Sequence, residues 1–332
     1  MLRAVWKDYD FPIPNVTTPL EYNVKVFGKD EEVIYTGVAK PKPGTNNIYI
    51  RLSDFAKNVC NSDVEDLFDE EIDLKIIPDY YKMVGVKYIN GTSENNVVVD
   101  FYNSYNYNSD FEFDYDVYVI SNPITTYSSR GLIMITIFNN TDEVQLLDLF
   151  SDERGYLLGP YEIEGKQAVV FKIKNLKAGS YTLGVNGVTD IYKFKTEDKC
   201  NRYNLHYLNA DGAYDTLPIE GLKDKRTDNF DFSYYKSRGN NQNECLPQMN
   251  KFQTNITTNW QLQTSWLNDE QSLMMYNLFG SHKVWLEDTE TDKLYPVYIT
   301  NKSLDYKTYT NNGKRKISYT ISITSSNTLI KF

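Results

Sequence analysis

Gly131-Leu132-Ile133-Met134-Ile135-Thr136-Ile137-Phe138, closed by Asn139-Asn140, is the stretch that decides how this chain folds. A short apolar run rich in β-branched residues and bounded by turn formers reads as a central β-strand. Its apolar part, 132–138, is seven residues and too short to cross a bilayer. The same pattern continues on both sides. Upstream, Phe111, Phe113, Tyr115 and Val117 alternate with Glu112, Asp114, Asp116 and Tyr118, a period of two with one apolar and one acidic face. Downstream, 168–173 and 181–185 read as strands, with turns at Ala178-Gly179-Ser180 and Asn186-Gly187. Several short strands with frequent turn signals predict an immunoglobulin-like sandwich over 109–196.

Working outward, residues 1–108 read as a first, acidic β domain. Residues 21–27 alternate, Gly28-Lys29-Asp30 turns, and Val33-Ile34-Tyr35 runs back as a hairpin. Pro41, Pro43 and Gly44 break the chain before another strand at 48–52. Ser53 is placed to cap a short helix over 54–59, with Asp54 in its first turn, where the helix dipole favours an acid. Residues 72–77 resume a strand, and the polar, Tyr-rich stretch 102–109 reads as a domain joint.

Residues 197–332 read as a third domain. Strands over 203–208 and 214–219 flank the turn Asn209-Ala210-Asp211-Gly212, and further strands are expected at 257–266, 284–286, 297–299 and 317–323. A polar loop fills 237–248. The one clear helix covers 269–279. Asn268 is its N-cap, Gln271 holds the capping-box position, Leu273, Met274 and Leu278 share an apolar face, and Gly280 is the C-cap. The predicted fold class is mainly β: tandem immunoglobulin-like sandwich domains, with a short helix in the N-terminal domain and a longer one in the C-terminal domain.

The composition narrows the function. The chain has 332 residues, 41% hydrophobic, enough for two or three domains with cores of their own. A net charge of −10 argues against a protein that grips phosphate backbones. Residues 1–116 carry 11 Lys and Arg against 21 Asp and Glu, 117–195 carry 8 of each and 196–332 carry 16 of each, so the first third holds the whole imbalance. The 28 Tyr, with abundant Asn, suit strands, turns and wet contact surfaces. Two His and three Cys argue against a His-based hydrolase, a zinc site or a disulfide scaffold. Cys60, Cys200 and Cys245 read as reduced thiols, implying synthesis in the cytoplasm. The opening MLRAVWKDYDFPIP has no apolar core of a signal peptide, so no cleaved export signal is expected.

Each candidate site has a plainer reading beside it. Asp110, Glu112, Asp114 and Asp116 are carboxylates fit for a hard cation, but period-two spacing lays them in a row along a strand rather than in a cage. Asp288-Thr289-Glu290-Thr291-Asp292 starts like a calcium loop but has Lys293 at the sixth position and Ile299 at the twelfth, so a hairpin tip is expected. The acidic run Glu65, Asp66, Asp69, Glu70, Glu71 and Asp73 reads as a solvated face or partner patch. His206 is a strand residue with no nucleophile beside it, and His282 is placed to interact with the last helix carbonyls. Trp6, Trp260, Trp266 and Trp285 supply either core and interface contacts or a glycan platform, with Trp266 and Trp285 expected to pack the helix face. The sequence has no P-loop, dinucleotide fingerprint or Gly-x-Ser-x-Gly elbow. No catalytic, cofactor-binding or metal-ligating residue is assigned.

Several stretches together resemble a known family. They are Val33-Ile34-Tyr35-Thr36-Gly37, Pro41-x-Pro43-Gly44, Asn204-Leu205-His206-Tyr207-Leu208-Asn209-Ala210-Asp211-Gly212-Ala213-Tyr214-Asp215, Trp266-Leu267-Asn268-Asp269-Glu270-Gln271-Ser272, Val284-Trp285-Leu286-x-Asp288, Pro296-Val297-Tyr298-Ile299-Thr300, Tyr306-Lys307-Thr308-Tyr309 and Ile317-Ser318-Tyr319-Thr320-Ile321. In this order they resemble tail structural proteins of Bacteroidales phages, most nearly those of crAss-like bacteriophages. The resemblance implies a non-enzymatic virion component that forms a ring in the collar or tail. Its implied partners are copies of itself, neighbouring tail or portal proteins and tail fibres, with DNA passing through without specific binding and no membrane contact. It implies no cofactor and no catalytic residue. Ala210-Asp211-Gly212-Ala213-Tyr214 is a variant of the family's turn, which commonly carries a bulkier pair. The alternative expectation is a receptor- or glycan-binding tail adaptor or fibre protein.

Overall fold

A computed structural model of the chain describes residues 2–4, 8–14, 16, 18–27, 31–64, 67–68, 74–90, 93–104, 116–122, 124, 126–152, 155–187, 189–198, 202–219, 225–236, 249–301, 303–311 and 314–330. It is a mainly β protein with two helices among these residues. No helix among them is long and apolar enough to cross a membrane.

The first segment holds β1 (Leu2–Ala4), β2 (Asp10–Ile13), β3 (Leu20–Phe27), β4 (Glu32–Ala39), β5 (Ile48–Arg51), α1 (Leu52–Val59), β6 (Leu74–Ile77), β7 (Tyr81–Asn90) and β8 (Ser93–Tyr102). Five of the strands form a sheet in the order β1-β8-β7-β3-β4, and β2 pairs with β5. The expected hairpin is β3–β4. Val24, Val84, Val86 and Phe101 of the sheet pack with Ile48 and Ile50 of β5 and Leu52 and Ala56 of α1 into a small core.

The helix begins differently from the sequence reading. It starts at Leu52 directly after the strand, its N-cap is Arg51, and no side chain caps it. Ser53 lies inside the helix, fully buried, and its Oγ accepts a hydrogen bond from the Tyr9 N–H at 3.1 Å. Its hydroxyl is spent on a long-range tie rather than on a cap.

The middle segment holds β9 (Val117–Val119), β10 (Thr126–Ser128), β11 (Leu132–Asn139), β12 (Gln145–Ser151), β13 (Gly155–Ile163), β14 (Gln167–Lys174), β15 (Gly179–Val185) and β16 (Thr189–Glu197). It is a sandwich of two sheets, β10-β16-β15-β12-β13 facing β6-β14-β11-β9. Ile133, Ile135 and Ile137 of β11 meet Leu147, Leu149, Leu183 and Phe194 across the interior. The Asn186-Gly187 hairpin turn has both residues left-handed, at φ 55 and 65.

The strand β6 alters the predicted division at 108. It belongs to the first segment by sequence, yet Leu74, Lys75, Ile76 and Ile77 pair with Phe171, Val170, Val169 and Ala168 in the middle sandwich. The proposed joint is not an open linker at its start either. Tyr102, Asn103 and Ser104 are buried, while 105–109 lie outside the described residues.

The last segment holds β17 (Tyr203–Leu208), β18 (Tyr214–Ile219), β19 (Lys225–Lys236), β20 (Met249–Gln263), α2 (Asp269–Gly280), β21 (Val284–Asp288), β22 (Lys293–Ile299), β23 (Tyr306–Asn311) and β24 (Lys314–Ile330). One sheet runs β18-β17-β21-β22-β24-β20-β19, with β23 also paired to β24. The capping box at α2 forms in full. Asn268 Oδ1 accepts from the Gln271 N–H at 2.7 Å, and the Asn268 N–H donates to Gln271 Oε1 at 3.2 Å. Met274, Met275 and Leu278 are buried on the apolar face.

The helix end departs from expectation. Gly280 is the last helical residue, and the cap is Ser281, whose N–H donates to the Leu278 carbonyl at 3.2 Å. His282 beside it is exposed.

One continuous apolar core joins the middle sandwich to the last segment, running from Ile124 and Ile133 to Leu286 and Ile323. A second cluster, with Tyr80, Tyr102, Met134, Phe138, Val170 and Tyr214, packs all three segments together.

Candidate functional site

Both faces of β11 are buried, so its edge decides how the segments meet. β9 covers only Ile137, Phe138 and Asn139 of that edge. The N–H groups of residues 132, 134 and 136 lie beyond it, and a buried N–H without an acceptor is costly. Side chains supply the acceptors. The Leu132 N–H donates to both oxygens of Glu287 at 3.1 Å, the Met134 N–H to Thr216 Oγ1 at 2.9 Å and the Thr136 N–H to Ser121 Oγ at 2.7 Å. Two of the three acceptors come from the last segment, so the polar side chains of one sheet finish the edge of another.

His206 belongs to this seam. It is fully buried, with Nδ1 at 3.0 Å from Thr216 Oγ1 and Nε2 at 3.2 Å from Glu287 Oε2. Both ring nitrogens are engaged, which makes the ring a strut rather than a base facing solvent. Asn204 Nδ2 donates to the same carboxylate at 2.8 Å. Burial pushes the Glu287 carboxyl up, but His206, Asn204 and the Leu132 N–H together hold it below the ordinary carboxylate value. Gly131, at φ +82, lets this carboxylate come close, because a Cβ there would lie 2.5 Å from Asn204 Nδ2 and 2.6 Å from Glu287 Oε2.

A second buried carboxylate, Asp215, precedes Thr216 on β18. Its Oδ1 accepts from the Asn122 N–H at 3.1 Å, and its Oδ2 accepts from Asn209 Nδ2 at 2.9 Å and from Asn122 Nδ2. Asn122 also donates to Tyr207 Oη at 3.1 Å and accepts from Asn277 Nδ2 of α2 at 3.1 Å. Burial pushes the Asp215 carboxyl up to about 7 against the pull of its hydrogen bonds from Ser121, Asn209 and Asn122. The turn before it holds the first segment. Tyr80 Oη donates to the Asp211 carbonyl at 2.9 Å, Ser104 Oγ to Asp211 Oδ1 at 3.1 Å and Tyr214 Oη to the Ser62 carbonyl at 2.5 Å. The 209–214 turn thus has defined contacts, and Gly212 admits the Asn103 backbone.

An open groove lies where the middle and last segments meet. The groove, of about 320 Å³, has Ile124, Leu217, Leu267 and Met274 in its wall and Thr126, Ser265, Trp266, Asn268 and Lys316 among its polar and aromatic lining. Trp266 is 50% exposed, and its ring lies 6.0 Å from that of Tyr309, itself 56% exposed.

The other tryptophans take different places. Trp260 is buried, with the Arg226 guanidinium 5.8 Å above its ring. Trp285 packs on Phe68 at 5.1 Å and Tyr214 at 6.1 Å rather than on α2. Trp6 lies outside the described residues. Sequence periodicity missed the groove because its residues come from four separate stretches that only the packing of the middle and last segments assembles.

The remaining candidates are placed as follows. Asp288–Asp292 is a hairpin tip between β21 and β22, with Asp288 accepting from Arg202 Nη2 at 3.2 Å and Asp292 paired with Lys174 at 2.8 Å. Of the acidic strand row only Asp116 is described; Asp110, Glu112 and Asp114 are not, nor are the acidic run's Glu65, Asp66, Asp69, Glu70, Glu71 and Asp73, the loop 237–248, Cys200 or Cys245. Among the described residues no His, Cys, Asp and Glu cluster could hold a metal ion. Cys60 is buried and unpaired by a disulfide, and its thiol is pushed up to about 12 by burial.

No family model matches the chain, and no curated protein matches it. Among solved structures, a chimeric titin Z1Z2 functionalized with a KLER exogenous peptide from decorin is similar at 8% identity and a TM-score of 0.18, covering 60% of this chain and 92% of that one. At that TM-score the likeness carries no argument about this chain.

Proposed function

We propose that this chain is a non-enzymatic structural subunit of a closed ring in the collar or tail of a bacteriophage, the role its sequence resemblance implies. The supporting observation is the edge strand β19. Residues 225–231 are all exposed, so both faces of the strand are open to solvent while it pairs with β20. A strand segment exposed on both faces, as 225–231 is, gains stability when a neighbour covers it. Phe230, 54% exposed on this strand, is an anchor of the aromatic kind that subunit interfaces favour. The outer side of the first sheet adds Val33, Val38, Ile89 and Val98, each more than 40% exposed.

In a ring the contacts are head-to-tail, the ribbon of one copy meeting a different surface of the next. The excess acid of the first third would keep a passing duplex from sticking if that segment faces the channel. Light scattering and negative-stain microscopy of the purified full chain test the reading. Closed rings, shifted toward monomer by Phe230→Asp, are expected. A chain that stays monomeric at every concentration and is absent from virions by mass spectrometry would overturn it.

A further inference from the structure

We infer that the groove beside Trp266 is a binding site for an anionic saccharide, with the indole as stacking platform and Lys316 as the carboxylate partner. Four observations converge there. First, the ring of Trp266 is half exposed and braced by Tyr309, so a flat apolar face is held ready at the rim. The C–H face of a pyranose covers such a ring well, and the ring loses little freedom on binding.

Second, four polar groups of the lining are not used by the protein itself. Among the described residues, the Thr126 and Ser265 hydroxyls, the Asn268 Nδ2 and the Lys316 Nζ make no intramolecular hydrogen bond or ion pair. This contrasts with the seam around Glu287, where each polar group has its partner. Half-buried donors and acceptors left open in a concave site are what hydroxyl-rich ligands pair with.

Third, Asn268 is held rigidly. Its Oδ1 is fixed by the Gln271 N–H at 2.7 Å, which aims its free amide hydrogens while α2 keeps its capping box.

Fourth, the charge selects the ligand. Lys316 is half-buried opposite Tyr309 in the β23–β24 ladder, a cation without a carboxylate in a chain of net charge −10. An anionic sugar answers it, as a uronic acid does through its carboxylate. The groove lies between segments and has the size of a small-ligand pocket, which starts near ~300 Å³. None of these residues lies on β19.

The test is titration of the full chain with a glucuronate-containing tetrasaccharide, followed by tryptophan fluorescence and calorimetry. A neutral glucose tetrasaccharide and a Glu-rich peptide serve as comparison probes. Saturable binding of the glucuronate probe is expected, weakened about tenfold by Lys316→Gln, with the neutral sugar bound more weakly and unaffected by that change. Trp266→Ala removes saturation below about 10 mM for both sugars. Unchanged melting curves confirm that both variants fold. The inference is overturned by no saturation with the glucuronate probe, by equal affinity for the neutral sugar, by preference for the peptide, or by binding that neither substitution alters.

Discussion

The Asn103 carbonyl rests directly on Gly212, so closely that a Cβ at 212 would come 2.1 Å from its oxygen. Gly212 is also left-handed, at φ +73, so two independent constraints select glycine at the turn that receives the first segment.

Gly212→Ala should therefore undock the first segment and lower stability by about 2–4 kcal/mol, combining backbone strain with a backbone clash. Thermal melting, with limited proteolysis near residue 103, reports both effects. A variant as stable and as protected as the parent would show that the contact is dispensable.

Asp215 predicts a pH dependence of definite sign. Its carboxyl titrates near 3.8 when unfolded and about 7 when folded, so between those values the folded chain holds the extra proton. This group's contribution to stability is greatest at the acidic side and declines as pH rises to about 7, then stays level. Its full span is on the order of 4 kcal/mol. Urea unfolding at about pH 5 and about pH 8 should show a smaller difference for Asp215→Asn than for the parent. Equal differences would place the pH dependence elsewhere.

Glu287 acts in the opposite sense. Its folded value is depressed, so its contribution is present above the ordinary value of 4.5 and is lost as pH falls through the folded one. Glu287→Ala leaves the Leu132 N–H and the His206 Nε2 without their acceptor and should cost about 3–5 kcal/mol. Hydrogen exchange by mass spectrometry should show faster exchange at Leu132, where protection equal to the parent's would refute the sealing role.

Asn268→Ala removes the acceptor of the α2 capping box and should lower stability by about 1 kcal/mol. A circular-dichroism melt reads the change. Asn268→Asp keeps the cap and should restore the melting temperature; failure to do so would disconnect the loss from capping.

Much of this was readable from local pattern. The β3–β4 hairpin, the strand β11, the β17–β18 pair, the tip at 288–292 and the capping box of α2 all depend on neighbours in sequence, and they appear where the residues place them. What was not readable is partnership across the chain. Periodicity says that 74–77 is a strand but not that it crosses to β14. Tyr102, Asn103 and Ser104 read as a polar joint because polarity predicts exposure, yet Asn103 Nδ2 finds Ser62 Oγ at 2.7 Å and Ser104 finds Asp211. Ser53 has a cap's chemistry but is drawn away by Tyr9. Two tryptophans beside one helix read as its packing partners, whereas tertiary contacts send Trp285 to Phe68 and leave Trp266 at the groove.

The crossing of β6 sets an order of events during synthesis. Ile77 leaves the ribosome long before Ala168, so the strand that completes the middle sandwich is made first and waits for its site. Until then β6 is an unpaired strand, and a middle segment made without it keeps the edge of β14 open to foreign pairing. The sandwich is thus not a cassette that recombination can lift out between 109 and 196; exchanging it means exchanging a piece of its predecessor as well.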